Sequence, residues 1–322
     1  MQYNCIYNTV THLKEQMKRY LTFSALAAIT LFGCNTDDDS IRDMEAPVIA
    51  AADGRDEIRP RQGEVMPAGN THMHVRFSVT DPSGIQEIRI DVHSDFDGHT
   101  HGRIANGFEP LTLLRVIPVN GATRYNQDGH DTDIYWEGPN SAVQGNVLAG
   151  PYDFIIDATD IHGNVTSHAE ENNYSTTIYI ERPYAPQMVI TNLHNGELDG
   201  TPGSPLAVQG SLTRSDHQLS SDISFLWVRL ADEEDHHGHG HRIQDADHYE
   251  RMWGTSKYRQ QANGNPFTGP ALPSGNALDF SQIFTGNNAI VLPAGAGHYD
   301  LIIWAEDVHG NVTRRVYEVH AD

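Results

Sequence analysis

The chain has 322 residues, enough for two domains that each bury a core. Hydrophobic residues make up 38% and charged residues 20%, a globular balance. The formal net charge of -22 excludes nucleic acid as a natural partner, because such a surface is repelled by phosphate backbones.

The first forty residues read as a processing segment. Residues 1–16 carry no targeting logic, and translation is expected to start at Met17. Residues 17–33 read as a signal peptide: a basic Met17-Lys18-Arg19, then a short apolar run from Leu21 to Phe32, too short to span a bilayer. Leu31-Phe32-Gly33-Cys34 resembles the lipobox of bacterial lipoproteins, and the resemblance implies cleavage before Cys34 and lipidation on it. The alternative is an ordinary signal peptide or a weak membrane helix. Cys5 and Cys34 are the only cysteines, so the expected mature chain carries no free thiol for a disulfide, thiolate metal site or nucleophile. Residues 34–45 then form an acidic tether, Asn35-Thr36-Asp37-Asp38-Asp39 among them. That run is either a solvated spacer or similar to the signal that sends such lipoproteins to the outer face of the outer membrane; the other orientation faces the periplasm.

Next comes a duplication. The stretch from Tyr152 to Thr166 (Tyr-Asp-Phe-Ile-Ile-Asp-Ala-Thr-Asp-Ile-His-Gly-Asn-Val-Thr) returns from Tyr299 to Thr313 as Tyr-Asp-Leu-Ile-Ile-Trp-Ala-Glu-Asp-Val-His-Gly-Asn-Val-Thr. Gly98-His99-Thr100-His101 likewise returns as Gly238-His239-Gly240-His241. The module reads as all-β. Met73–Val79, Ile85–Val92, Tyr152–Ala158 and Thr176–Ile180 are short, β-branched or aromatic segments. Asp81-Pro82-Ser83-Gly84, Gly138-Pro139 and Gly150-Pro151 punctuate them. Asp160-Ile161-His162-Gly163-Asn164 and its twin predict hairpin turns, which gives His162 and His309 a structural role. Tyr152 and Tyr299 occupy the place of a tyrosine corner. The expected fold is two tandem Ig-like β-sandwich domains, 46–182 and 184–322, joined by the stiff Pro183-Tyr184-Ala185-Pro186.

With Asp91-Val92-His93, the loop Asp95-Phe96-Asp97-Gly98-His99-Thr100-His101-Gly102 and the two Gly-Asn hairpins, the chain resembles the domain-of-unknown-function family numbered 4625, typical of Bacteroidota. The resemblance extends over nearly the whole mature chain and implies fold and location but no reaction. The second copy departs from it, with Leu230 or Glu233 near where His93 would fall.

The 19 histidines are the main chemical signal. His72 and His74 lie two apart on a predicted strand and face one side. His93 ends the next strand, and His99 and His101 follow in a Gly-flanked loop. Neutral imidazoles with a carboxylate are the donor set of zinc or copper, so His74, His93, His99 and His101 form one candidate metal site. His236, His237, His239 and His241, with His248 nearby, form a second, compositional one. Each of these histidines has the alternative of an ordinary solvated surface residue. Asp157, Asp160 and Asp307 offer a weaker alternative as calcium ligands.

There is no Gly-x-Ser-x-Gly elbow, phosphate-binding loop or His-Glu-x-x-His, and the chain is expected not to be an enzyme. Two functions remain. One is a lipid-anchored lipoprotein that captures or buffers zinc or copper, for instance for an outer-membrane transporter. The other is an adhesive surface protein that recognises a glycan or a protein, with Trp136, Trp227, Trp253 and Trp304 as stacking groups unless they are core.

Overall fold

The longest strand organises the first half of the molecule. In the computed structural model, which describes residues 43–66, 72–96, 108–136, 146–232, 248–273 and 276–322, the chain from Phe77 to Ser94 is one continuous strand. Among the described residues, ten strands lie before Pro183: β1 (Val48–Ala50), β2 (Val65–Met66), β3 (His72–Met73), β4 (Phe77–Ser94), β5 (Phe108–Glu109), β6 (Leu113–Gln127), β7 (Ile134–Tyr135), β8 (Asn146–Val147), β9 (Gly150–Asp160) and β10 (Tyr174–Ile180). β4 is flanked by β6 on one side and by β1 and β9 on the other; β10 and β2 continue the sheet beyond β9. The pairs β3–β7 and β5–β8 form two small additional sheets. The expected signal peptide, Cys34 and most of the expected tether lie outside the described residues.

The Asp81-Pro82-Ser83-Gly84 break does not end a strand as its composition predicts. Asp81 does cap the local turn, since its Oδ1 accepts from the backbone N–H of Ser83 (2.8 Å) and of Gly84 (3.0 Å). The ladder nevertheless runs through it. Between Ile85 and Glu87 the partner β9 advances only from Asp160 to Thr159, so Gln86 is an extra residue, a β-bulge. The bulge changes the phase of the strand. Phe77 and Val79 face the core before it and Ile88, Ile90 and Val92 after it, all fully buried. Long-range pairing on both sides outweighed the local turn preference.

The second half is a sandwich of two sheets. Its strands are β11 (Gln187–Ile190), β12 (Leu198–Gly200), β13 (Gly210–Thr213), β14 (Ile223–Asp232), β15 (Tyr249–Gln260), β16 (Pro266–Thr268), β17 (Ala277–Asp279), β18 (Gly297–Asp307) and β19 (Val312–Ala321), with a one-turn helix α1 (Phe280–Ile283). One sheet is β11-β13-β17 and the other β12-β19-β18-β14-β15-β16. Leu226, Val228, Leu230, Leu301, Ile303 and Ala305 fill the space between them. The protein is therefore all-β, and among the described residues no sheet holds strands from both halves. Among the described residues no helix is long and apolar enough to cross a membrane.

The repeated motifs have the same geometry in both halves. Tyr152 Oη donates to Leu148 O at 2.6 Å, and Tyr299 Oη to Gly295 O at 3.4 Å, each bonding back four residues as a tyrosine corner does. In the first hairpin turn the Asp160 carboxylate accepts from the N–H of His162 and of Asn164 and from the Asn164 side chain. In the second, Asp307 holds Asn311 in the same way at 2.8 and 3.0 Å. Gly163 and Gly310 have φ of 86° and 93°, which a side chain would strain.

The linker is not a free spacer. Tyr184 and Ala185 are buried, and Tyr184 Oη donates to Val147 O at 2.6 Å. The second turn docks on the first half: Val312 N donates to Ala149 O (2.9 Å), and Ala149 N donates to Asn311 Oδ1 (3.3 Å). Glu181 pairs with Arg315, and Phe96 packs on Tyr258 at 4.9 Å. Phe96 reaches that place only because Gly150 has no side chain: a Cβ there would meet the Phe96 ring. Phe225, Trp304 and Val312 of the second half complete the core of the first.

Burial pushes the carboxyls of the two turn aspartates and of Glu306 upward, and their hydrogen bonds oppose it. Asp160 feels a desolvation push upward, but its turn hydrogen bonds outweigh it and hold its carboxyl below the usual range. For Asp307 burial prevails over the same bonds and the carboxyl is pushed up. Burial likewise raises Glu306 from 4.5 to about 7, against hydrogen bonds from Ser256, Lys257 N and Trp304 and the charge of Arg259.

Tyr152→Phe should lower the unfolding free energy by about 1–3 kcal/mol, because it leaves a buried carbonyl unpaired. Tyr299→Phe, with its longer bond, should cost less; urea denaturation of both variants decides. A second expectation concerns pH. A carboxyl whose folded pKa is raised favours the fold while protonated, so the Glu306 contribution is fully present below about 4.5 and lost as pH rises through about 7. Glu306→Gln should flatten the fall in melting temperature across that window, and an unchanged slope would refute the assignment.

Candidate functional site

β3 and β7 are only two residues long, yet they place four side chains together. His72 pairs with Tyr135 and Met73 with Ile134. Met73, Ile134, Val75 and Trp136 point inward and are almost fully buried, which leaves His72 and His74 on the outer face. A turn from His130 to Asp133, closed by the N–H of Asp133 on the His130 carbonyl, brings two more donors to the same face. The donor atoms of His72, His74, His130 and Asp133 all lie within 4.8 Å of one another.

Asp133 is the centre of this group. Its Oδ2 is 2.6 Å from His130 Nδ1, 3.2 Å from His74 Nδ1 and 3.9 Å from His72 Nε2. Its side chain is fully buried, and its Oδ1 has no hydrogen-bond partner. The surroundings fix the rings: Tyr135 stacks on His72 at 5.1 Å, His72 meets His74 edge-on at 4.8 Å, and His74 contacts His130 at 5.2 Å. The Arg115 guanidinium donates to the Asp133 carbonyl, and Thr132 Oγ1 to Val75 O.

Of the ligands expected from the sequence, the structure brings only His74 into a donor cluster among the described residues. His74 stands in a metal-ligand geometry, but with His72, His130 and Asp133. His93 is not a member of that group: its Nδ1 lies 3.0 Å from Asp91 Oδ1 and its Nε2 3.7 Å from Asp153 Oδ2, across the strand pair β4–β9. His99 and His101, and the whole of His236, His237, His239 and His241, lie outside the described residues. His248 bonds Asp232 at 2.7 Å and rests edge-on against Tyr299. The carboxylates weighed for calcium have local partners: Asp157 accepts from Asn173, and Asp160 and Asp307 brace their turns.

Three of the four tryptophans are core. Trp136, Trp253 and Trp304 are buried, and only Trp227 reaches the surface. It lies on the outer face of β14, opposite Met252 and Trp304 on the neighbouring strands. Its Nε1 donates to Glu250 Oε1 at 2.9 Å. The Arg259 guanidinium lies 3.7 Å and that of Arg229 5.2 Å from its ring centroid, a cation–π arrangement.

Residues 32–175 match the family described as a domain of unknown function (DUF4625). The match begins just before Cys34 and ends within β10, whereas the motif resemblance extends into the second half of the chain. No curated protein matches the chain. Among solved structures, it is similar to the fibronectin(III)-like modules of Clostridium thermocellum CbhA, with 11% identity, 82% of this chain and 92% of that one covered, and a TM-score of 0.21. It is also similar to the latent PorU dimer of Porphyromonas gingivalis (13% identity, 88% and 21% covered, TM-score 0.24). A third is Bacteroides ovatus SGBP-B of a mixed-linkage glucan utilization locus, in complex with a heptasaccharide (11%, 85% and 47%, TM-score 0.24). The chain spans about a fifth of PorU and about half of SGBP-B in length. At such identities and TM-scores these likenesses carry no functional argument.

Proposed function

We propose that this chain is a non-catalytic binding protein of the bacterial cell exterior, anchored by lipid on Cys34, that recognises a glycan through the outer face of its second sandwich. In this reading the domains divide near Pro183, and the buried linker and docked turn hold them as one stiff body. Such a body keeps a recognition face at a set distance from the membrane. The observation that carries the reading is Trp227 with Glu250, Arg229 and Arg259. A partly buried indole offers its accessible face to the apolar faces of sugar rings, while a carboxylate and two guanidiniums supply directional acceptors and donors for hydroxyls. The Arg259 guanidinium lies over the ring at 3.7 Å from its centroid.

Affinity electrophoresis of the mature chain against a panel of soluble polysaccharides tests this. At least one polysaccharide should retard the protein, and Trp227→Ala should abolish the retardation while His248→Gln leaves it intact. Retardation indifferent to Trp227, or none across the panel, would remove the glycan reading. The anchor has its own test. Cys34→Ala should move the protein from the detergent phase to the aqueous phase in phase partitioning, and a variant that stays with the membrane would refute lipidation at Cys34.

A further inference from the structure

We propose that His72, His74, His130 and Asp133 bind one divalent transition-metal ion, zinc foremost, as a site that ties the β3–β7 pair to the face of the first sandwich. This inference stands apart from the Trp227 surface, which lies on the other sandwich.

Three observations carry it. The first is the donor set. Three imidazole nitrogens and one carboxylate oxygen suit zinc, copper or nickel, whereas calcium and magnesium prefer sites made of oxygen. The second is spacing. Tetrahedral zinc with bonds of about 2.0–2.1 Å holds its donors about 3.3 Å apart. The three distances from Asp133 Oδ2, 2.6, 3.2 and 3.9 Å, bracket that value, so small rotations of surface side chains complete the geometry. The third is Asp133 itself. A fully buried carboxylate with an unpartnered oxygen is costly unless a cation compensates it. The nearest guanidinium, Arg115, is directed at the Asp133 backbone carbonyl. A divalent ion held among the imidazoles would supply a compensating charge directly at the Asp133 carboxylate.

The site is also accessible and supported. The side chains of His72, His74 and His130 are 33, 43 and 70% exposed, which leaves an entry path from solvent. Behind them, Met73, Val75, Ile134 and Trp136 belong to the main core, so the backbone that carries the donors is rigid. β3 and β7 exchange only two residue pairs. A bound ion would add a cross-link where the ladder is weakest.

The test must separate this site from the histidine-rich loops. The mature chain is purified without a tag, stripped with chelator and titrated with zinc by calorimetry. It is compared with a variant in which His99, His101, His236, His237, His239 and His241 are all replaced by Ala. That variant should still bind one equivalent of zinc, and its melting temperature should rise with zinc concentration. Adding Asp133→Asn or His74→Gln should weaken the remaining binding by about tenfold or more. His130→Gln, at the most exposed of the four positions, tests the site without disturbing the core. Circular dichroism verifies folding of each variant, and cobalt in place of zinc should give the intense visible bands of a four-coordinate ion. If the loop variant binds no zinc, or if binding in it is unchanged by both Asp133→Asn and His130→Gln, the cluster is a hydrogen-bonded group and not a metal site.

Discussion

The contact on which the architecture turns is the seat of one hairpin. Asn311, fully buried, is held by the Asp307 carboxylate and accepts from Ala149 N, while Val312 N donates to Ala149 O. A turn that would be a solvated loop end in an isolated sandwich becomes a plug between two. It draws Phe225, Trp304 and Val312 into the core of the first half and forces Glu306 and Asp307 into a dry environment. The duplicated motif therefore does different work in its two copies. In the first half the turn hydrogen bonds of Asp160 outweigh its burial; in the second burial outweighs the same bonds at Asp307.

Much of the fold was legible because its signals are local. A tyrosine four residues past a carbonyl and an Asp-x-x-Gly-Asn turn are complete within a dozen residues, and their recurrence exposed the duplication. The strands around Ile88, Tyr152 and Thr176 followed from alternation. What could not be read depended on distant partners. Asp81-Pro82-Ser83-Gly84 has every mark of a turn, and only β6 and β9 on either side keep it in a strand. Pro183-Tyr184-Ala185-Pro186 reads as a spacer until Phe108 and Val147 are seen around Tyr184.

The candidate sites divide along the same line. His74 drew notice because His-x-His on a strand is a recognisable pattern. His130 and Asp133 did not, since their link to it runs through strands too short to leave a periodic signature. The one available hint was a histidine and an aspartate three apart in a polar turn, a common pairing without meaning until the other half of the ladder is known. Among the tryptophans, composition could not say which was surface. Trp304 lies in a repeated strand and is buried beside Trp227, its register partner, which is only partly buried.

The bulge in β4 has a bearing on how sequences of this kind can diverge. Gln86 is the one residue by which the run from Val79 to Ile88 exceeds strict alternation. Deleting it would leave Phe77, Val79, Ile88, Ile90 and Val92 on one face by ordinary alternation and remove the bulge. A one-residue difference in length between related strands is thus absorbed at this place, where a gap aligns the flanking apolar residues without moving any of them to the opposite face.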